Sequence, residues 1–208
     1  MGRMQLIELP LAMRLARCIV MVGGAALALG TSLAAAQDDG YPADITPPPG
    51  TQYPCALTAL PKDLPGVPVS DRRFINHAYG VILKATQAKL VMLKALEGTE
   101  GLDAALDRYI AATASARGRL AAEPPPEGLG PFAKDVLSAL DLQVSFFRAG
   151  VRVRAGGASL AQVFQNPDGR RASAALFSAW AQMQGRYPAW STEVRGSIYH
   201  HLCALDLF

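Results

Sequence analysis

The sequence predicts an all-α fold, an antiparallel helical bundle of four to five helices with a proline-rich N-terminal strap, and three observations carry that expectation. Apolar residues recur at alternating four- and three-residue spacing through several segments of helical length. Half of the residues are hydrophobic but only 7% are aromatic, and the alanine and leucine that make up much of that fraction favour helix over sheet. Short Gly- and Pro-rich links separate the periodic segments, as they do between packed neighbours in a bundle.

The N-terminus reads as an export signal. Arg14 and Arg17 close a basic stretch, an apolar run follows from Cys18 to Leu29, and Ala34-Ala35-Ala36 before Gln37 supplies a small-residue cleavage motif. Residues 1–36 are therefore expected to be a signal peptide removed after Ala36. The general secretory route is favoured because no twin-arginine pair is present, and Arg17 before Cys18 argues against a lipoprotein cysteine. The competing reading keeps Cys18–Ala36, 19 uncharged residues, as a membrane anchor. Gly23-Gly24 and the clean cleavage motif favour removal, after which no stable membrane insertion is expected.

Residues 37–69 hold eight prolines, which prevent helix and disfavour sheet. Gln37–Tyr53 reads as a tether. The remainder, with Cys55, Leu57, Leu60, Leu64 and Val67, reads as a strap packed onto the domain formed by residues 70–208.

Within that domain the first helix is expected over Asp71–Glu97, with Ser70 as N-cap, Asp71 complementing the dipole and Gly98 as the stop. Its stripe is Phe74, Ala78, Val81, Ala85, Ala88, Met92 and Ala95, widened by Ile75, Ile82, Leu90 and Leu93. The second runs over Leu102–Ala122, striped by Leu102, Leu106, Tyr109, Thr113, Ala116 and Leu120, and Pro124-Pro125-Pro126 stops it. The third opens on Pro131, where proline is tolerated, and carries Ala133, Leu137, Leu140, Val144, Phe147 and Val151 to Gly156-Gly157. A turn or two of helix follows over Ser159–Phe164. Asn166-Pro167 then caps a helix presenting Ala172, Leu176, Ala179 or Trp180, and Met183, and Tyr187-Pro188 breaks it. Ser191 caps the last helix, with Val194, Ile198, Leu202 and Leu205 inward.

Charge narrows the function classes. The chain carries a formal net charge of +3, but Arg3, Arg14 and Arg17 stand against Glu8 in the signal, so residues 37–208 have 17 basic and 16 acidic residues. A nearly neutral mature chain gives no support to nucleic-acid binding. Cys55 and Cys203 are the cysteines left after cleavage, and an even pair in an exported chain points to a disulfide. A zinc site from Cys55, His77, His200 and Cys203 is the competing use, against which stand the lack of close spacing around Cys55 and His77 and an oxidising compartment.

His77, His200 and His201 are candidate metal ligands, although adjacent His200 and His201 point about 100° apart on a helix. His201 is expected at the core edge and His200 outside. No G-x-S-x-G elbow, tandem E-x-x-H pair or C-x-x-C-H motif is present, so no catalytic residue and no cofactor is indicated, and the balance leans away from an enzyme. Arg148, Arg152, Arg154, Arg170 and Arg171 form the one local basic concentration, close in sequence to Trp190. Arginine and aromatics are enriched at interfaces, so these residues mark an expected interaction surface for an acidic protein partner or a phosphate-bearing ligand. The expected function is a periplasmic or secreted, non-catalytic binding or interaction protein. The alternatives are a metal- or redox-cofactor-binding bundle and an enzyme whose site is assembled across helices.

Overall fold

The computed structural model describes Leu64 and residues 66–208. The signal segment, the tether, Cys55 and most of the strap lie outside the described residues. Among the described residues all regular structure is helical: α1 Val69–Glu97, α2 Leu102–Ala122, α3 Gly130–Ala155, α4 Leu160–Val163, α5 Pro167–Arg186 and α6 Thr192–Leu205.

Local sequence explains most of the boundaries. Asn166 accepts from the Asp168 N–H at the start of α5, with Pro167 in the first turn. Ser191 accepts from the Val194 N–H at the start of α6. Ser159 and Gln162 make a reciprocal capping box around the single turn α4. Gly101, with φ of 66°, provides the left-handed residue that lets the chain re-enter helix after α1. The N-terminus of α1 differs from expectation. The helix begins at Val69 after Pro68 with no side-chain cap, and the Ser70 hydroxyl donates to Asp71 Oδ1 instead.

Each long helix packs on two or more others. α1 lies against α2, α6 and α3; α3 has its most extensive contact with α5; α2 meets α3, and α5 meets α6. These contacts explain where the stripes succeed and where they undercount. The buried residues of α2 are Leu102, Ala105, Tyr109, Thr113, Ala116 and Leu120, its expected stripe with Ala105 in place of Leu106. α1 is buried well beyond one stripe, because neighbours lie on several sides of it: Ile75 and Ile82, expected to widen the stripe, are inside, and so are Asn76, Tyr79, Leu83, Thr86 and Lys89, while Leu90 and Leu93 are half-buried. The buried face of α3 is shifted toward Phe132, Val136, Ala139, Gln143 and Phe146, leaving Leu137 and Val144 half-buried.

The core forms two clusters. One gathers Phe74, Ile75, Tyr79, Phe132, Leu140 and Leu202 with Leu64 and Val67, which precede α1. The other gathers Met92, Leu96, Tyr109, Phe146, Phe147 and Val163, with Tyr109 and Phe147 edge-on at 4.6 Å. Gly150 lets α4 sit against α3, since a Cβ there would stand 2.8 Å from Val163 Cγ1.

Candidate functional site

The C-terminal ends of helices expose carbonyls that need donors from elsewhere, and in this domain basic and amide side chains from other elements supply them. The end of α6 is the most elaborate case. Lys89, 1% exposed, donates from Nζ to the carbonyl of Ala204 at 2.7 Å and to that of Asp206. Gln143 donates to the intervening Leu205 carbonyl at 2.7 Å and accepts from the Tyr109 hydroxyl at 3.0 Å. Three consecutive carbonyls of α6 are thus held by α1 and α3. Burial pushes the Lys89 ammonium down to about 8, with the Asp206 carboxylate opposing it, and burial raises the pKa of Tyr109.

Arg154 does the same at the end of α1. It donates to the carbonyls of Leu96 at 3.1 Å and Gly98 at 3.0 Å, and to that of Ala158 at 2.7 Å. At the end of α2, His77 Nε2 lies 3.2 Å from the Arg119 carbonyl, with Nδ1 3.5 Å from Glu123 Oε2.

A second polar cluster ties the start of α1 to the end of α5. Buried Asp71 accepts from the Tyr187 hydroxyl at 2.7 Å and from Arg186 at 2.8 Å. Burial alone would raise the Asp71 pKa; the bonds from Tyr187, Arg186 and Ser70 outweigh it and the net shift is downward. Burial and the neighbouring Asp71 push Tyr187 up to about 12. Tyr187 stacks on Trp190 at 4.5 Å.

The structure separates the residues that the sequence grouped. His77 serves the end of α2, whereas His201 is buried on α6 with Nδ1 2.7 Å from the Ser197 carbonyl and its ring edge-on to Tyr79. Burial lowers the His201 pKa, partly offset by the Ser197 carbonyl. His200 is half-buried rather than exposed. Among the described residues no group of three or more His, Cys, Asp or Glu is placed to hold a metal ion. Trp190 does not join the arginines on an outer surface; it is 6% exposed, because the Tyr187-Pro188 turn folds it back under Tyr187.

The five arginines fall in different settings. Arg154 is engaged by helix-end carbonyls, and Arg171 pairs with Asp168 at 3.3 Å on its own helix. Arg148 and Arg152 stand together on α3 beside a groove shared with α2. Arg170 borders another groove, between α5 and α6. Among the described residues, Arg148, Arg152 and Arg170 make no hydrogen bond or ion pair.

The α5/α6 groove has a volume of about 330 Å³ and an apolar wall formed by Leu176, Phe177, Trp180, Tyr199 and Phe208, with Cys203 on its α6 side. The large hydrophobic side chains exposed among the described residues include three aromatics, Phe177 at 61%, Phe208 at 59% and Tyr199 at 37%, and all three line this groove. Asp206 is its acidic group, and it is already held by the Ser173 hydroxyl and the Leu207 N–H. The sequence carried a signal for Phe177, which lies one position outside the stripe Ala172, Leu176, Ala179 and Met183 that α5 buries. No helix among the described residues is long and apolar enough to cross a membrane. In comparisons with known proteins, the chain matches no family model, no curated protein and no solved structure.

Proposed function

We propose that the chain is exported, loses residues 1–36 after Ala36, and acts in the periplasm or outside the cell as a non-catalytic binding protein. In this reading the long helices form an antiparallel bundle, strapped by the segment before α1 through a Cys55–Cys203 disulfide. Support for the strap comes from Leu64 and Val67, its last residues, which lie in the core. Further support is the position of Cys203 on the rim of the α5/α6 groove. The shifted titratable groups Lys89, Asp71 and His201 all have architectural partners, so none of them needs a substrate to explain its setting.

The binding face is the α5/α6 groove, and its occupant is a partner protein that inserts apolar side chains and sets a carboxylate beside Arg170. The observation that carries this is the convergence of Phe177, Tyr199 and Phe208 on one groove. Exposed aromatics gathered in a concave surface are the usual anchors of an interface. Charge gives the partner its sign: the Asp206 carboxylate is opposed by the Lys89 ammonium, whereas Arg170 has no ion-pair partner among the described residues.

The test is site-specific photo-crosslinking of the exported protein in its own compartment, from a photoreactive analogue at Phe177 and, as control, at exposed Val91. One discrete product from position 177, weakened by added salt and absent from position 91, is expected. Equal products from both positions, or none from either, would discard the reading. Intact mass should start at Gln37, and non-reducing peptide mapping should join the Cys55 and Cys203 peptides; a mature chain retaining residues 18–36 would establish the anchor instead.

A further inference from the structure

We propose that the groove between α2 and α3 is a binding site for a phosphate-type oxyanion carried on an apolar body, held by Arg148 and Arg152. The site is independent of the α5/α6 groove. Its two arginines are four residues apart on α3, so they sit one turn apart on the same face, and both line a groove of about 390 Å³. That volume is in the range of small-organic-ligand sites. Neither guanidinium has a hydrogen-bond or ion-pair partner among the described residues.

The groove contains one carboxylate, Asp141, which Arg117 of α2 neutralises at 2.5 Å. That pair closes the groove without cancelling the two free cations. Nor does Ser145 compete with them, since its hydroxyl donates to Asp168 at 2.7 Å. Beside the cations, Ile110, Ala114 and Val144 make an apolar wall.

The chemistry of the donors selects the ligand. One guanidinium fork saturates the two oxygens of a carboxylate, whereas two forks one turn apart need the three terminal oxygens of a phosphate monoester. The apolar wall adds a preference for an alkyl-bearing phosphate over the inorganic ion. Such a group could belong to a free amphiphile or to a lipid head, and the two sources share the same recognition.

The experiment is titration of the exported, full-length mature protein with n-hexyl phosphate and with inorganic phosphate, followed by calorimetry, alongside sedimentation with phosphatidic acid and phosphatidylcholine vesicles. Saturable one-to-one binding of hexyl phosphate, at least about tenfold tighter than inorganic phosphate, is expected. Arg148→Gln with Arg152→Gln should weaken it by at least about tenfold while the far-UV circular dichroism is unchanged, and Arg171→Gln should leave it unaltered. Ile110→Ser should weaken hexyl phosphate and not inorganic phosphate. Sedimentation with phosphatidic acid vesicles that disappears in the double variant would support the site and assign its source to a lipid head. Absence of hexyl phosphate binding, or equal binding by the double variant, would overturn the site, and equal affinity for the two phosphates would overturn its apolar half.

Discussion

Lys89 and Arg148 carry the same formal charge in opposite circumstances. Lys89 is sealed inside, with its donors fixed on the Ala204 and Asp206 carbonyls. Arg148 stands exposed on α3 with no partner. The same contrast runs through the other cations: Arg154 closes the end of α1 and Arg186 holds Asp71, whereas Arg152 and Arg170 are unengaged. The basic side chains that hold the domain together are drawn to helix C-termini and to one buried carboxylate, where orphan carbonyls and the helix dipole welcome a donor. Arg148, Arg152 and Arg170 border grooves instead.

Lys89→Met should produce the largest loss among these cations. Methionine keeps the volume but leaves two carbonyls at the end of α6 without donors, a cost of about 2–3 kcal/mol in urea unfolding. A pH series sharpens the point. The Lys89 pKa is lowered in the folded state to about 8 from an unfolded value of about 10.4, so between those values the unfolded chain binds the additional proton. Stability should therefore rise from pH 8 toward pH 10 in the native protein, and Lys89→Met should lack that rise. The neutral amine still has donors for both carbonyls; it is the charge that burial resists. Above about pH 10 the raised pKa values of Tyr187 and Tyr109 act in the opposite direction, because the unfolded tyrosines ionise first.

Asp71→Asn should cost about 2 kcal/mol, since it leaves Arg186 without its charge partner and weakens the bond from Tyr187. The Asp71 pKa is lowered on folding, so its contribution is present at neutral pH and is lost as pH falls through the acid range below about 4. The variant should therefore be less sensitive to acid than the native protein.

Arg154→Gln removes a partly exposed set of bonds and should cost about 1 kcal/mol. Amide hydrogen exchange should quicken mainly around Leu96–Gly98, because the loss is local to the end of α1.

Much of this contrast was not legible in the sequence. Helix boundaries were, because caps and breakers are local: Asn166-Pro167, Ser191 and the triple proline act on the residues beside them. Ser70 failed as a cap because the helix starts one residue earlier, beyond Pro68, and its hydroxyl turns to Asp71. Lys89 lies outside the expected stripe of α1. Its carbonyl partners arrive from more than a hundred residues away, on a helix whose position no local pattern encodes. The arginines formed one group along the chain, but α3, α5 and the links between them carry them into separate settings. Trp190 looked like interface material until the stacking on Tyr187 placed it inside. The expected export signal, Cys55 and most of the strap lie outside the described residues.

The distinction between the two sets of cations is tested most directly by urea unfolding at pH 7 of Lys89→Met beside the double substitution Arg148→Gln and Arg152→Gln. The expected result is a loss of about 2–3 kcal/mol for Lys89→Met and a change within about 0.5 kcal/mol for the double variant. A double variant as destabilised as Lys89→Met, or a Lys89→Met protein as stable as the native chain, would contradict it.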